Sequence, residues 1–203
     1  MTDLFDFDEN QDEVYVLDTE TTGLKGAPAD VVVDIGVCRV NLRKGTVDDA
    51  YSEVVGDDVD HWNEYRRNAW IFENTDMTLD MVKNGRPFPT VRKEIYRLLE
   101  GKNVTSYNIG YDMDKFLYKS GWDLKGSFNE CCDIMKAASR VCRLPGFVQG
   151  EYRWPKLDYA YSTILGGDDP AGIHGKQDHR ALSDARVASH IMIRMYRDGQ
   201  YRL

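Results

Sequence analysis

Two carboxylates, Asp18 and Glu20, stand two residues apart directly after the apolar run Val14 to Leu17. In an extended chain, side chains at i and i+2 share one face, roughly 6 to 7 Å apart, close enough to share or flank a pair of metal ions. Two like charges at a buried strand end raise each other's pKa unless cations or protons compensate. Taken alone, the pair can also be read as a strand that simply ends with both acids solvated. A third acid, Asp112, follows Ser106-Tyr107-Asn108-Ile109-Gly110-Tyr111, where a strand passes through a short turn into a helix. A helix start favours a carboxylate through its exposed amides and dipole, so an N-cap would suffice to explain it; Asn108 can brace the turn with its side-chain amide. The third segment, Gln177 to Arg186, carries His179 and, five positions later, Asp184. A histidine ahead of a helix can take a proton from water near neutral pH, as hydrolysis of a phosphodiester requires. Its plainer reading is a surface histidine beside Asp178.

These residues need a sheet and helices to bring them together. Val14 to Leu17, Val31 to Val40 and Val47 to Val55 read as strands, the last two joined by the Arg43-Lys44-Gly45 turn, so the chain opens as an antiparallel meander. Lys102 to Tyr107 is a further strand. Helices are expected over His61 to Phe72, Thr78 to Lys83, Pro89 to Glu100, Met113 to Lys119, Asp133 to Val141, Lys156 to Leu165 and Arg180 to Arg197. On the last, Leu182, Ala185, Ala188, Met192 and Met195 form a packing face, and small residues near Asp184 let it approach the sheet. Strands first and helices alternating later give an α/β class with a mixed sheet, its active face at the carboxyl ends of strands.

The 203 residues suit one domain, expected over 13–203, behind an acidic, flexible leader of residues 1–12. The net charge of −8 argues against a phosphate-binding protein until its distribution is examined. Residues 1–13 hold six acids and no Lys or Arg, so the rest is close to neutral. Bound divalent cations would reverse the sign locally where a phosphate approaches. No apolar run reaches membrane-spanning length and no signal pattern opens the chain, which leads us to expect a soluble, cytoplasmic protein. Cys38, Cys131, Cys132 and Cys142 match no zinc-ribbon spacing and read as reduced thiols. A metal cluster of Cys131, Cys132, Cys142 and His174 is disfavoured, because adjacent cysteines point in different directions.

Asp18-Thr-Glu20 with its Thr21-Thr22-Gly23-Leu24 continuation, Asn108-x-x-Tyr111-Asp112, and His179-Arg-Ala-Leu-Ser-Asp184 occur in that order. Together they resemble the three motifs of the DnaQ-like, or DEDDh, family of 3'-5' exonucleases, from about Tyr15 to Met195. The resemblance implies a ribonuclease-H-like fold: a mixed five-stranded sheet with its first three strands antiparallel, flanked by helices. It implies Asp18, Glu20, Asp112 and Asp184 as ligands of two Mg²⁺ or Mn²⁺ ions, with His179 as general base, in a two-metal hydrolysis that releases nucleoside 5'-monophosphates. It further implies that Thr21, Gly23 and Leu24, with Asn108 and Phe116, hold the terminal nucleotide; Leu24 and Phe116 can equally be core residues. Tyr111 replaces the phenylalanine common at its position and keeps an aromatic surface.

The expected substrate is the 3' end of single-stranded or frayed DNA. Trimming of RNA, including short oligoribonucleotides, is the enzymatic alternative. A proofreading subunit bound to a polymerase is disfavoured, since the chain ends at Leu203 soon after the last expected helix, and dimerisation is left open. Trp62, Tyr65, Trp70 and Phe72, with Arg66 and Arg67, fit helix packing better than strand binding. The region of Arg140, Arg143, Tyr152, Arg153 and Trp154 is the better candidate for a substrate-contacting loop.

Overall fold

The computed structural model describes residues 12–148, 150–172 and 178–203. The acidic leader up to residue 11 and His174 of the disfavoured cysteine cluster lie outside them. Asp12, counted with the leader in the sequence, joins the body: its carbonyl accepts from Leu42 N at 2.9 Å, and its carboxylate pairs with Arg43 Nε at 2.8 Å.

The chain opens with three antiparallel strands, β1 (Glu13–Thr21), β2 (Val32–Asn41) and β3 (Thr46–Gly56). A 3₁₀ turn at Val59–His61 and three short helices follow, α1 (Glu64–Arg67), α2 (Trp70–Asn74) and α3 (Leu79–Lys83). Then come β4 (Arg86–Pro87), α4 (Phe88–Leu99), β5 (Asn103–Ser106) and α5 (Ile109–Asp112). A π turn at Met113–Leu117 leads to β6 (Asn129–Glu130), α6 (Ile134–Cys142), α7 (Leu157–Leu165) and α8 (Ala181–Arg197).

The sheet order is β4-β3-β2-β1-β5-β6, with β4, β5 and β6 each parallel to its neighbour. It therefore has six strands where five were expected. The edge strands β4 and β6 are two residues long, too short to carry a hydrophobic period.

Alternation along β1 divides the core. Val14 and Val16 face α6, α7 and α8, while Tyr15 and Leu17 face α4 and the π turn. Both faces are covered, so the strand is buried and apolar from Val14 to Leu17.

Two helix expectations are corrected. His61 to Phe72 is not one helix. Asn63 caps α1 by accepting from Arg66 N at 3.0 Å, the chain turns extended at Ala69, and Trp70 begins a new helix. Arg67 Nε meanwhile donates to Trp62 O at 3.0 Å. Trp62 and Phe72 join a third core cluster, as packing required, but Tyr65 and Trp70 stay exposed. The helix expected from Met113 starts four residues earlier, at Ile109. Its cap is Asn108, whose Oδ1 accepts from Tyr111 N at 3.2 Å, so Asp112 ends that turn instead of capping it.

Candidate active site

The acids converge because α8 lies directly on the sheet beside Asp18. Gly36 in β2 is the cross-strand partner of Asp18. A Cβ on Gly36 would sit 2.1 Å from Leu182 N and 2.4 Å from Ala181 C, so only a glycine lets the helix start here. The next inward position on β2 holds the helix by charge. Buried Asp34 accepts from Arg180 Nε at 2.7 Å and from Ala181 N at 3.3 Å. Asp184, one turn into α8, is thereby carried inward and is 5 % exposed. From the other side, Asp112 accepts from Thr19 N at 3.2 Å and Thr19 Oγ1 at 2.7 Å, which ties α5 to β1 between the two acids of the first motif.

The result is a shallow cavity of about 180 Å³ lined by Asp18, Glu20, Asp112, Asp184, His179 and Asn108, among others. All five residues proposed for chemistry border one space. One ligand atom each from Glu20, His179 and Asp184 lie within 4.8 Å of one another, a spacing that could hold a cation. His179 reaches the cavity with its backbone at φ 52°, in the left-handed region. Its ring meets Trp70 edge to face, with centroids 5.2 Å apart.

Crowding of like charge dominates the electrostatics. Burial, then Asp112, Asp184 and Glu20, pushes the Asp18 carboxyl well above the usual range. Burial, then Asp184 and Asp34, pushes Glu20 up to about 9. Burial raises Asp112 to about 6, against the hydrogen bonds from Thr19 that hold its carboxylate down. Hard carboxylate oxygens without a cysteine in the cavity suit Mg²⁺ or Mn²⁺ better than Zn²⁺. The residues present therefore fit a divalent-metal site: Asp18, Glu20, Asp112 and Asp184 offer the oxygens, and cations would relieve their repulsion.

A stability prediction follows with a definite sign. Acids whose folded pKa is raised bind protons that the unfolded chain releases, so their contribution falls as pH rises. For Glu20 the window runs from 4.5 to about 9. The metal-free protein is expected to melt at a lower temperature at pH 8.5 than at pH 5.5, and Mg²⁺ or Mn²⁺ should raise Tm more at pH 8.5. Thermal melts with and without EDTA check this; equal metal-induced shifts at both pH values would count against the assignment.

A second cavity, of about 640 Å³, continues from the first through Thr19, Glu20, Asn108 and Tyr111, which line both. Thr21, Thr22, Gly23, Leu24, Trp70 and Ile71 complete its wall. Leu24 is 75 % exposed and free to lie against a flat apolar group. Thr21 Oγ1 and Tyr111 OH are 2.5 Å apart, and Tyr111 OH donates to Gly23 O at 3.0 Å. A Cβ on Gly23 would lie 2.7 Å from Tyr65 OH and 2.8 Å from Asp30 Oδ1, so a larger residue there would displace these side chains. Phe116 lines neither cavity. It is fully buried and packs edge to face on Tyr111 with centroids 5.4 Å apart, supporting that ring from behind.

Sequence reasoning missed Gly36, Asp34 and Arg180, and for Trp70 it favoured helix packing over a place at the site, whereas Trp70 is exposed and lines the second cavity. A lone glycine and a lone acid inside the apolar β2 run were the available signals for the first two. No signal announced that Trp70 would turn toward His179.

A mixed sheet with three antiparallel strands first, and acids from β1, α5 and α8 gathered with a histidine beside its parallel centre, defines a DnaQ-like exonuclease domain of the ribonuclease-H-like class. The profile of the RNase T exonuclease family matches residues 15–192, and the chain belongs to that family. It is 27 % identical over 189 residues to the 3'-5' exonuclease DinG of Bacillus subtilis (strain 168), covering 91 % of this chain and 18 % of that protein. It is 24 % identical over 184 residues to a PolC-type DNA polymerase III of Thermotoga petrophila, covering 88 % of this chain and 11 % of the polymerase. The chain thus spans less than a fifth of either relative. Among solved structures, the nuclease domain of 3'hExo, a DEDDh family member bound to rAMP, superposes with a TM-score of 0.65 at 20 % identity, covering 94 % of this chain and 95 % of that one. E. coli exonuclease I in complex with a dA16 oligonucleotide gives 0.64 at 14 % identity, covering 92 % and 41 %. These two likenesses concern the fold.

Proposed function

We propose that the protein is a metal-dependent 3'-5' exonuclease that hydrolyses the terminal phosphodiester bond of a single-stranded or frayed DNA end and releases a nucleoside 5'-monophosphate. The observation that carries this reading is the single cavity bordered by Asp18, Glu20, Asp112, Asp184 and His179. Two Mg²⁺ or Mn²⁺ ions held by the four carboxylates would neutralise the phosphate's charge and stabilise the developing negative charge of the reaction. The protein's own groups do the rest. His179, steadied by Trp70, takes the proton of the attacking water; such a base contributes ~10²- to 10⁴-fold. The Asp34–Arg180 pair fixes the α8 start and so the position of Asp184 relative to Asp18. Leu24 and Trp70 flank the adjoining cavity, where the terminal base would lie, while Thr21 and Asn108 face its sugar and phosphate.

DNA is favoured by the polymerase relative and by the dA16 bound to exonuclease I. RNA trimming is the second reading, favoured by the rAMP bound to 3'hExo and by a neighbour that recognises the 3' end of a histone mRNA stem-loop. A cytoplasmic location belongs to the same proposal. It is supported by four free cysteines, which suit a reducing compartment, and no helix among the described residues is long and apolar enough to cross a membrane.

Matched 5'-labelled DNA and RNA oligomers with Mg²⁺, Mn²⁺ or EDTA test the proposal. A ladder shortening from the 3' end, faster on DNA, abolished by EDTA and slowed ~10²-fold or more in His179→Ala, is expected. Equal or faster RNA turnover would overturn the DNA preference, and undiminished cleavage by His179→Ala would overturn the role of that residue.

A further inference from the structure

Several described arginines outside the site are engaged by acids: Arg39 with Asp48, Arg86 with Glu94, Arg186 with Asp49, and Arg194 with Asp198. Residues 136–156 differ. They carry Lys136, Arg140, Arg143, Arg153 and Lys156 against a single acid, Glu151, in a chain whose net charge is −8. All five cations are exposed; Lys136 acts on the nearby Asp133 carboxyl, and Arg140, Arg143 and Arg153 make no ion pair with a carboxylate among the described residues. Lys136 and Arg140 stand four apart on α6 and so share a face.

Exposed aromatic surface lies among these charges. Trp154 is 62 % exposed, and Lys136 Nζ sits over its ring at 6.0 Å, which leaves the opposite face of the indole for another flat group. The segment is held in shape by Arg153 N donating to Leu144 O at 2.9 Å and by the bridge between Pro145 and Tyr152. It is also anchored to the catalytic cavity. Tyr107, which lines that cavity, donates its hydroxyl to Pro155 O at 2.8 Å, and Leu157, three residues after Trp154, lines it too.

We infer that this surface is the path of the polynucleotide upstream of its 3'-terminal residue, with one base stacked on Trp154 and the backbone phosphates following Arg140, Arg143 and Arg153. Unpaired cations interleaved with an exposed aromatic are what a single strand requires, because every base offers a stacking face and every linkage a negative charge. The inference rests on the exonuclease reading but extends it: the terminal nucleotide is held by the cavity, and the rest of the strand by a separate surface on the α6 to α7 connection.

The test is binding without turnover. Fluorescence anisotropy in Ca²⁺ measures a labelled dT12 and a labelled thymidine dinucleotide against the wild type, Trp154→Ala, and the triple variant Arg140→Ala, Arg143→Ala, Arg153→Ala. Trp154→Ala is expected to weaken dT12 about tenfold and the dinucleotide less than twofold. The triple variant is expected to lower the salt dependence of dT12 binding by about 2 in log–log slope. Melting temperatures within 2 °C of wild type, as expected for exposed side chains, show that folding is intact. Loss of dT12 affinity in these variants supports the path even if the wild type fails to hydrolyse the strand, so failure of the exonuclease reading is read separately. Variants that bind dT12 as tightly as wild type, or a wild type that does not bind it, overturn the inference.

Discussion

Asp18→Asn is expected to abolish hydrolysis, lowering kcat by on the order of 10³-fold or more, while making the metal-free protein more stable. The two effects have one cause. Asp18 is crowded by Asp112, Asp184 and Glu20, and its carboxyl is pushed well up by burial and by those neighbours. An isosteric amide removes one of the like charges without opening a cavity, so the empty site loses repulsion and Tm in EDTA rises at pH 8. The same change removes a hard oxygen donor, so the increase in Tm on adding Mn²⁺ should shrink sharply. A merely structural role for Asp18 would give the reverse, a lower Tm in EDTA with activity reduced in proportion to the folded fraction. Melting curves at pH 8 with EDTA and with Mn²⁺, beside rates on a labelled strand, separate the two.

Gly36→Ala is expected to destabilise the fold by about 3 kcal/mol, with Tm falling by roughly 6 to 12 °C, and to remove most activity from the protein that remains folded. The added methyl would meet the backbone of α8 at 2.1 to 2.4 Å. Backbone cannot swing aside as the end of a lysine could, so the helix must lift. Lifting the start of α8 separates Asp184 from Asp18 and breaks the contacts of Asp34 with Arg180 and Ala181. Near-native activity in Gly36→Ala would mean that Asp184 does not need its present distance from the sheet.

The gathering of the five candidate residues around one cavity was the most legible part of the sequence, because each lies at a fixed spacing within a short motif. Asp18 and Glu20 required only an extended chain to share a face, and His179 and Asp184 only a loop followed by a helical turn. The long central strands were legible for a similar reason. Val14 and Val16 bury on one side of the sheet while Tyr15 and Leu17 bury on the other. What could not be read were contacts between segments distant in the chain. Asp34 is 146 residues from Arg180, and neither residue type alone announces the pair that seats α8. Phe116 was nominated for the nucleotide pocket from its place after the second motif. The widened π turn carries it inward, fully buried behind Tyr111. The break between α1 and α2 had a local origin in the Asn63 cap, but its consequence, an exposed Trp70 against His179, depends on a loop more than a hundred positions later.

On the proposed function, Asp18, Glu20, Asp112 and Asp184 form one divalent-metal site with His179 beside it. Anomalous diffraction from crystals soaked in Mn²⁺ and a nucleoside 5'-monophosphate tests it most directly. The expected result is manganese density between Asp18 and Asp184 with the nucleotide's phosphate against it and its base near Leu24. The absence of an anomalous peak among these carboxylates at saturating Mn²⁺ would contradict it.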